Sequence, residues 1–329
     1  LDRILSGIQP TTDGFHLGNW LGAIRNWVGF QEKAECYYCI VDLHALTVRP
    51  PAKVLRRNVF GMAVSLLAVG IDPERSALFV QSRIPEHAEL CWILDCFTQL
   101  GDLNRMTQFK DKAQQNEKNV NAGLFTYPVL QTADIVLYKA THVPVGEDQE
   151  QHLELAREIV RRFHHHYGDL FPEPKVIRSE APRVLGLDGK TKMSKSRDNF
   201  IGVTEDPDTI LRKLRSAVTD PRRLRRKDPG RPEVCNIYSL HGFFSGSEER
   251  AEIAEGCRTA GIGCVDCKKR LHANLTTVTE PIRERAEALK ACPSRVWDVL
   301  EEGRRRASTT ARATMAEVRE RLGIGEGGS

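Results

Sequence analysis

The chain has 329 residues, of which 40% are hydrophobic, 28% charged and 7% aromatic, which suits two domains with a buried core and excludes a largely disordered chain. No apolar run approaches the ~20 residues of a membrane span, and Leu1 leads straight into patterned sequence, so neither a membrane segment nor a signal peptide is expected. The net charge of +4 is uneven, with 20 Lys+Arg against 22 Asp+Glu in residues 1–186 and 28 against 22 in residues 187–329.

Residues 4–8 (ILSGI) read as a strand closed by the turn Gln9-Pro10-Thr11. From His16 a helical period sets Leu17, Leu21, Ile24, Trp27 and Val28 on one side. Residues 37–43 read as a buried strand, 54–69 as a long apolar helix, 77–81 as another strand and 86–100 as a helix. This alternation predicts an α/β fold with a parallel, Rossmann-type sheet. Residues 102–123 are Gln/Asn/Lys-rich and aperiodic, which suggests a mobile loop over a site. Residues 133–138 and 143–145 return to the core, and a strong helix is expected from about 147 to 165.

After about residue 186 strand-like runs vanish. Helices are expected at 207–217, 248–260, 281–291, 294–306 and 311–322, with Pro207 and Pro281 in first turns and Asp206 and Ser294 as N-caps. The chain thus divides into an α/β part (1–186), a loop (187–200) and an all-helical, basic part (201–329), whose last helix could pack back on the first. The leading residue is not Met, which suggests a trimmed or partial chain.

Two segments carry chemistry. In the first, a strand and turn (Gly7-Ile8-Gln9-Pro10) lead to His16-Leu17-Gly18-Asn19 at a helix start. Unpaired N–H groups there suit a phosphate, Gly18 lets a nucleotide approach, and His16 and Asn19 can donate to it. The second is Lys192-Met193-Ser194-Lys195-Ser196, two lysines three apart after the glycine-containing loop 186–189. Such a clamp can neutralise charge that builds up on a leaving pyrophosphate. Gly189-Lys190-Thr191 imitates the end of a P-loop, but the Gly that motif needs at position 184 is Val184, so a P-loop is excluded.

Together the two segments carry a resemblance. His16–Asn19 is similar to the HIGH-type signature of class I aminoacyl-tRNA synthetases, and 192–196 is a complete KMSKS. Gly7–Pro10, Asp42-Leu43-His44-Ala45, Tyr127-Pro128, Ala133-Asp134-Ile135 and the stretch 143–149 (VPVGEDQ) resemble the tryptophanyl-tRNA synthetase family. Tyrosyl-tRNA synthetases share the architecture without this combination.

The resemblance implies a ligase that activates L-tryptophan with ATP to tryptophanyl-adenylate and transfers it to tRNA(Trp). Covalent catalysis is not needed, so positioning and electrostatics would carry the rate. ATP would be held by Gln9, Pro10, Thr11, His16, Gly18, Asn19, Gly146, Glu147, Asp148, Val184, Lys192, Met193, Ser194, Lys195 and Ser196. Catalytic roles would fall to Lys192, Lys195, His16 and Gln9, with Lys112 on the mobile loop as a weaker candidate and Mg2+ accompanying the ATP. For tryptophan, Asp134 would accept the indole N–H, Tyr127 and Gln149 would take the α-amino group, and Leu5, His44, Val143 and Val145 would wall the ring. The helical part would bind the anticodon of tRNA, and family members are cytoplasmic homodimers, for which helices 54–69 and 86–100 are candidate contacts. The chain departs from the family in a turn one residue longer before His16 and in Gln131, where many relatives carry Met. A paralogue that binds tryptophan without charging tRNA is the non-enzymatic alternative; the intact Lys192–Ser196 and Asp134 speak against it.

Nine cysteines, an odd number without a secretory signal, argue for a reducing compartment rather than a disulfide framework. Cys235, Cys257, Cys264 and Cys267 are spaced as a four-thiolate site for zinc or an iron–sulfur cluster. A bacterial subset of the resembled family carries a 4Fe–4S cluster at nearly this spacing, which makes the cluster the first expectation and zinc the second. Cys36 and Cys39 flank two residues of a strand and should face opposite sides, in the core. His164–His166 reads as a solvated turn. The cations at 222–227, 268–270 and 304–306 are candidates for sequence-blind contact with tRNA phosphates.

Overall fold

The computed structural model describes residues 2–115, 120–146, 149–178 and 184–325. Strands β1 (Arg3–Ile8), β2 (Glu35–Ile40), β3 (Ser76–Val80), β4 (His142–Val145) and β5 (Lys175–Arg178) form one parallel sheet in the order β3-β2-β1-β4-β5. Helices α1 (Leu17–Asn19) and α2 (Arg25–Phe30), joined by a π-helical turn, follow β1. Helices α3 (Asp42–Ala45) and α4 (Ala52–Ala68) follow β2. Between β3 and β4 run α5 (Glu86–Asp95), α6 (Leu100–Arg105), α7 (Thr107–Gln115) and α8 (Ala122–Leu137), and α9 (Glu150–Tyr167) connects β4 to β5. The rest is helical: α10 (Pro207–Ser216), α11 (Asn236–Phe244), α12 (Ser247–Arg258), α13 (Cys264–Ala291) and α14 (Pro293–Leu322).

Period-two burial builds the sheet's two faces. Cys36, Tyr38 and Ile40 of β2 join Leu17, Ile24, Leu66 and Leu78 in one apolar layer. Tyr37 and Cys39 point the other way, to Phe79, Val136, Tyr138 and Phe163. Helix α14 returns to the sheet and lies on β3, where a Cβ on Gly303 would meet the Leu78 carbonyl oxygen at 1.9 Å. Only glycine allows this crossing.

The strand order reverses direction between β1 and β4. These two strands share one register pair, Ile4 with His142, whereas β1 and β2 stay in register through six. Beyond that rung they diverge, and a crevice opens at the carboxyl ends of the strands, where ligands bind in open α/β sheets.

Several local expectations are corrected. The second strand ends at Ile40, and Asp42 already starts a helix. The helix expected over 86–100 breaks after Asp95, and the loop expected over 102–123 contains α6, α7 and the start of α8. Gln and Lys are good helix formers, so α7 lacks an apolar stripe without lacking propensity. Pro128 stands inside α8 and Pro281 inside α13, so neither starts nor stops its helix. Residues 293–322 form one helix, with Pro293 in its first turn and Cys292 rather than Ser294 at the cap. Asp206 does cap α10, accepting from Thr209 N at 2.8 Å. Strand β5 and helix α11 were not anticipated. His164–His166 lies in the last turn of α9, where His164 Nε2 accepts the backbone N–H groups of Leu170 and Phe171.

Candidate active site

The first wall of the crevice is the turn that carries the chain from β1 into α1. Asn58 of α4 donates to the Pro10 carbonyl at 3.2 Å, and Thr11 N reaches Gln9 O at 2.9 Å. His16 caps α1: its Nδ1 accepts from Asn19 N at 3.3 Å while Asn19 Oδ1 accepts from His16 N at 3.4 Å. Burial, reinforced by Lys195 and Lys192, lowers the His16 pKa to about 4. The ring is therefore neutral at pH 7, and because Nδ1 accepts, its proton sits on Nε2 as a donor. The Asn19 side-chain oxygen is used by the cap, and its amide N–H groups have no partner among the described residues.

The KMSKS segment sits against this turn. Its base is a hairpin in which Gly186 N bonds Thr191 O and Met193 N bonds Val184 O at 3.2 Å. In this arrangement the Met193 N–H and Val184 C=O expected to face adenosine satisfy each other. A Cβ on Gly18 would lie 3.3 Å from the Met193 Cβ, so the two signatures touch. Lys195 Nζ donates to the carbonyls of Asp13 (3.1 Å) and Gly14 (3.2 Å) and lies 5.7 Å from the Phe200 ring centroid. Lys192 is exposed.

One residue not foreseen holds this loop together. Asn199 accepts from Ser194 N at 2.7 Å and donates to Asp188, Thr191 and the Lys192 carbonyl. Next to it, Leu17 N bonds Ile201 O and Val203 N bonds Phe15 O, which ties the strap 199–203 to the start of α1. The side chains of Lys112 and Ser196, and residues Glu147 and Asp148, lie outside what the structure describes.

Deeper in the crevice, a cavity of about 350 Å³ gathers Leu5, Gln9, His44, Tyr127, Asp134, Val143, Val145, Gly146 and Gln149 from the expected set. Ser6, Gln131 and Trp27 line it as well, and the Ser6 hydroxyl is buried without a hydrogen-bond partner among the described residues. Asp134, on α8, is 2% exposed. Its Oδ2 is 2.8 Å from His44 Nε2, while Oδ1 takes Gln81 Nε2 and His87 Nδ1, each at 2.6 Å. Burial pushes this carboxyl up, but the bonds from His44 and His87 outweigh it and bring the pKa to about 2. His87 continues through Nε2 to the Tyr138 hydroxyl at 2.7 Å. Gln81 and His87 were missed because a lone Gln at a strand end and a lone His in a helix carry no pattern. His44, expected only as a wall, also bonds the carboxylate. Tyr127 bonds His152 at 2.8 Å and Gln108 at 3.3 Å.

Outside the crevice, Cys235, Cys257, Cys264 and Cys267 line one small cavity, with Arg223 among them. All nine cysteines are free thiols, and Cys36 and Cys39 are buried on opposite faces of the sheet. Among the described residues, no three His, Cys, Asp or Glu side chains converge as a site for a single metal ion. Arg223 (8% exposed) reaches Cys257 Sγ at 3.6 Å and the carbonyls of Arg226 and Ile262, and its Nε has no partner there. Lys268 (7% exposed) caps α10 through the carbonyls of Arg215 and Ala217.

Many cations expected to face tRNA are spent internally. Arg270 pairs with Glu252, Arg304 with Glu301, and Arg305 with Glu302, while Arg306 is tied to the carbonyls of Pro73 and Ser76. Arg222, Arg225, Arg226, Lys227 and Lys269 are exposed with no ion pair among the described residues. No helix among the described residues is long and apolar enough to cross a membrane.

Residues 2–280 match a family model described as tRNA synthetases class I (W and Y). The chain is 50% identical to the tryptophan–tRNA ligase of Deinococcus radiodurans over 98% of its own length and 99% of that protein's. It is 44% identical to the tryptophan–tRNA ligase of Thermotoga maritima, again over 98% and 99% of the two chains. Its structure is similar to that of Campylobacter jejuni tryptophanyl-tRNA synthetase complexed with ADP and tryptophan, with a TM-score of 0.91, 34% identity, and 98% and 100% coverage.

Proposed function

We infer the activity from a plain premise: the chain belongs to the class I tRNA synthetases of the tryptophan and tyrosine group. It is a tryptophan–tRNA ligase. The tryptophan carboxylate attacks the α-phosphate of ATP, pyrophosphate leaves, and the tryptophanyl group passes from the adenylate to the terminal ribose of tRNA(Trp).

The observation that carries tryptophan recognition is the bonding of Asp134. An ionised carboxylate only accepts, with about two positions per oxygen. Oδ1 has both of its positions filled by Gln81 and His87, whereas Oδ2 has one taken by His44 and one left for an indole N–H. An amino acid without that donor leaves a buried charge short of a partner, a discrimination of up to about 10⁴–10⁵-fold. Leu5, Val143 and Val145 close on the ring, and Tyr127 and Gln149 take the α-amino group.

The ATP end follows from the turn and the loop. Nε2–H of His16 donates to a phosphate oxygen, Asn19 contributes amide donors, and Gly18 lets the chain approach. Gln9 and Thr11 border the same turn, and Gly146, which lines the cavity, would face the adenosine. Mg2+ arrives with ATP, held chiefly by the phosphates. Lys195 must exchange the carbonyls of Asp13 and Gly14 for the pyrophosphate. Together with Lys192 it then binds charge that peaks as the bond breaks, which is how binding becomes rate.

We read residues 1–186 as the catalytic domain, 187–200 as the KMSKS loop and 201–329 as the tRNA anticodon-binding domain. The unpaired cations at 222–227 and Lys269 would face its phosphates. The four thiols fit a 4Fe–4S cluster better than zinc. The thiols line one cavity without three of them converging on a single ion among the described residues, and the buried Arg223, 3.6 Å from Cys257 Sγ, would offset the charge of an anionic group there. When bound, a cluster would supply negative charge and a cross-link among three chain segments. We also read the chain as a cytosolic homodimer: its cysteines number nine, an odd count that suits a reducing compartment, and Trp92 (72% exposed) and Leu100 (69% exposed) leave an apolar surface on α5 and α6.

The deciding experiment is ATP–pyrophosphate exchange with each amino acid, followed by charging of tRNA(Trp). Tryptophan-dependent exchange and charging are expected. Exchange with tyrosine alone would overturn the specificity, and tryptophan binding without exchange would overturn the activity.

A further inference from the structure

A second groove lies on the same end of the sheet as the crevice. Its cavity, about 470 Å³, is lined by Lys53, Arg56, Arg57 and Phe60 of α4 and by Pro293 and Trp297 of α14. The floor is aromatic, with the Phe60 and Trp297 rings 5.8 Å apart and the Arg83 guanidinium 5.1 Å from the Trp297 ring. The rim is cationic. Lys53, Arg56 and Arg57 are exposed, and none has an ion pair among the described residues; Arg57 only touches its neighbour Asn58. This contrasts with Arg304 and Arg305 of α14, each neutralised by a glutamate one turn away.

The three cations occupy the first two turns of α4, and neither α4 nor α14 has an acidic residue in its first turn or a side-chain cap. Like charge at the positive end of a helix dipole works against stability. The groove therefore concentrates unspent positive potential over two rings. Its neighbours tie it to the catalytic crevice: Asn58 of α4 holds the turn before His16, and Arg83 stands two residues after Gln81, which bonds Asp134.

The geometry points to this groove as a docking site for the acceptor arm of the tRNA substrate. Phosphates pair with Lys53, Arg56 and Arg57, and an unpaired base lies against the Trp297–Phe60 platform. Charge complementarity selects a polyanion, and the aromatic floor selects one with exposed planar bases. Its place beside the crevice suits the arm that must deliver its terminal ribose there. This rests on the tRNA-charging reading above and adds to it a surface outside the helical cysteine region.

The test is the triple variant Lys53→Gln/Arg56→Gln/Arg57→Gln in the full chain, read by exchange, charging, and tRNA(Trp) binding against salt. Tryptophan-dependent exchange should stay within twofold of the parent, while the KM for tRNA rises at least tenfold. The slope of log affinity against log salt should become shallower by about 2–3. Trp297→Leu should weaken tRNA binding about tenfold and Trp297→Phe should retain most of it. An unchanged tRNA KM and salt slope in the triple variant would overturn the assignment. So would conversion of a parental dimer to monomers with tRNA affinity intact, which would give the groove to a second copy of the chain. Failure of exchange in the parent protein would instead strike the charging reading, leaving the binding measurement to judge the groove.

Discussion

Lys195 extends its ammonium to the turn that precedes His16, with Nζ 3.1 Å from the carbonyl oxygen of Asp13. The same lysine lowers the proton affinity of the His16 ring, after burial itself. The two signature segments are thus linked electrostatically as well as by the contact between Gly18 and Met193.

If Lys195 acts chiefly as the bond to pyrophosphate breaks, Lys195→Ala should slow adenylate formation about 10²–10³-fold. Tryptophan affinity should change less than threefold. Pre-steady-state adenylate formation and equilibrium tryptophan binding separate the two quantities, and equal losses in both would contradict a transition-state role.

His16 should titrate near pH 4 instead of near 6.5. The depressed value means that its contribution to stability is complete above pH 6.5 and is lost as pH falls toward 4. Ring proton chemical shifts followed by NMR from pH 8 to 3.5 would show this. In Lys195→Met the midpoint should rise; a midpoint near 6.5 in the parent would refute the depression by burial and the two lysines.

Asp134→Asn keeps the volume but removes the charge that His44 and His87 surround. Tryptophan KM should rise about a hundredfold, the scale of a charged hydrogen bond of about 3 kcal/mol. The folded carboxyl titrates near 2, so its stabilisation is present above about pH 4 and lost as pH falls toward 2. Denaturant unfolding of parent and variant should show a stability gap on the order of 2 kcal/mol at pH 5 that narrows below pH 4. Unchanged tryptophan affinity in the variant would remove Asp134 from the recognition site.

For the four thiols, protein purified without oxygen should be brown with a broad visible absorption band, and Cys264→Ser should bleach it. A colourless parent with all nine thiols titratable and no bound metal would refute the cluster.

What was legible in the sequence was mostly what is local. Gly7–Pro10, His16–Asn19 and Lys192–Ser196 each concentrate their chemistry within a few residues, and Asp134 stood out as a carboxylate in an apolar stretch. What the sequence hid is long-range. Gln81 and His87 reach Asp134 across 53 and 47 positions, and their identity as partners exists only once α5 and α8 pack. Asn199 carries no local signal, because its three residues of spacing from Ser196 mean little until the hairpin closes around it. The cationic runs misled for a related reason: composition counts charge but not neutralisation, and Arg304–Arg306 spend theirs within the fold.

The clearance at Gly303 has a consequence for how the chain is made. Ala307, Ala311, Met315 and Val318 of α14 complete the apolar layer that includes Phe79 of β3 and Leu5 of β1, yet they are translated more than two hundred residues after either strand. A nascent chain on the ribosome holds both nucleotide signatures long before that face of its sheet is covered. Completion of that layer is thereby deferred to the end of synthesis, and a chain that stops short of α14 emerges with the β3 side of that face uncovered and open to quality control.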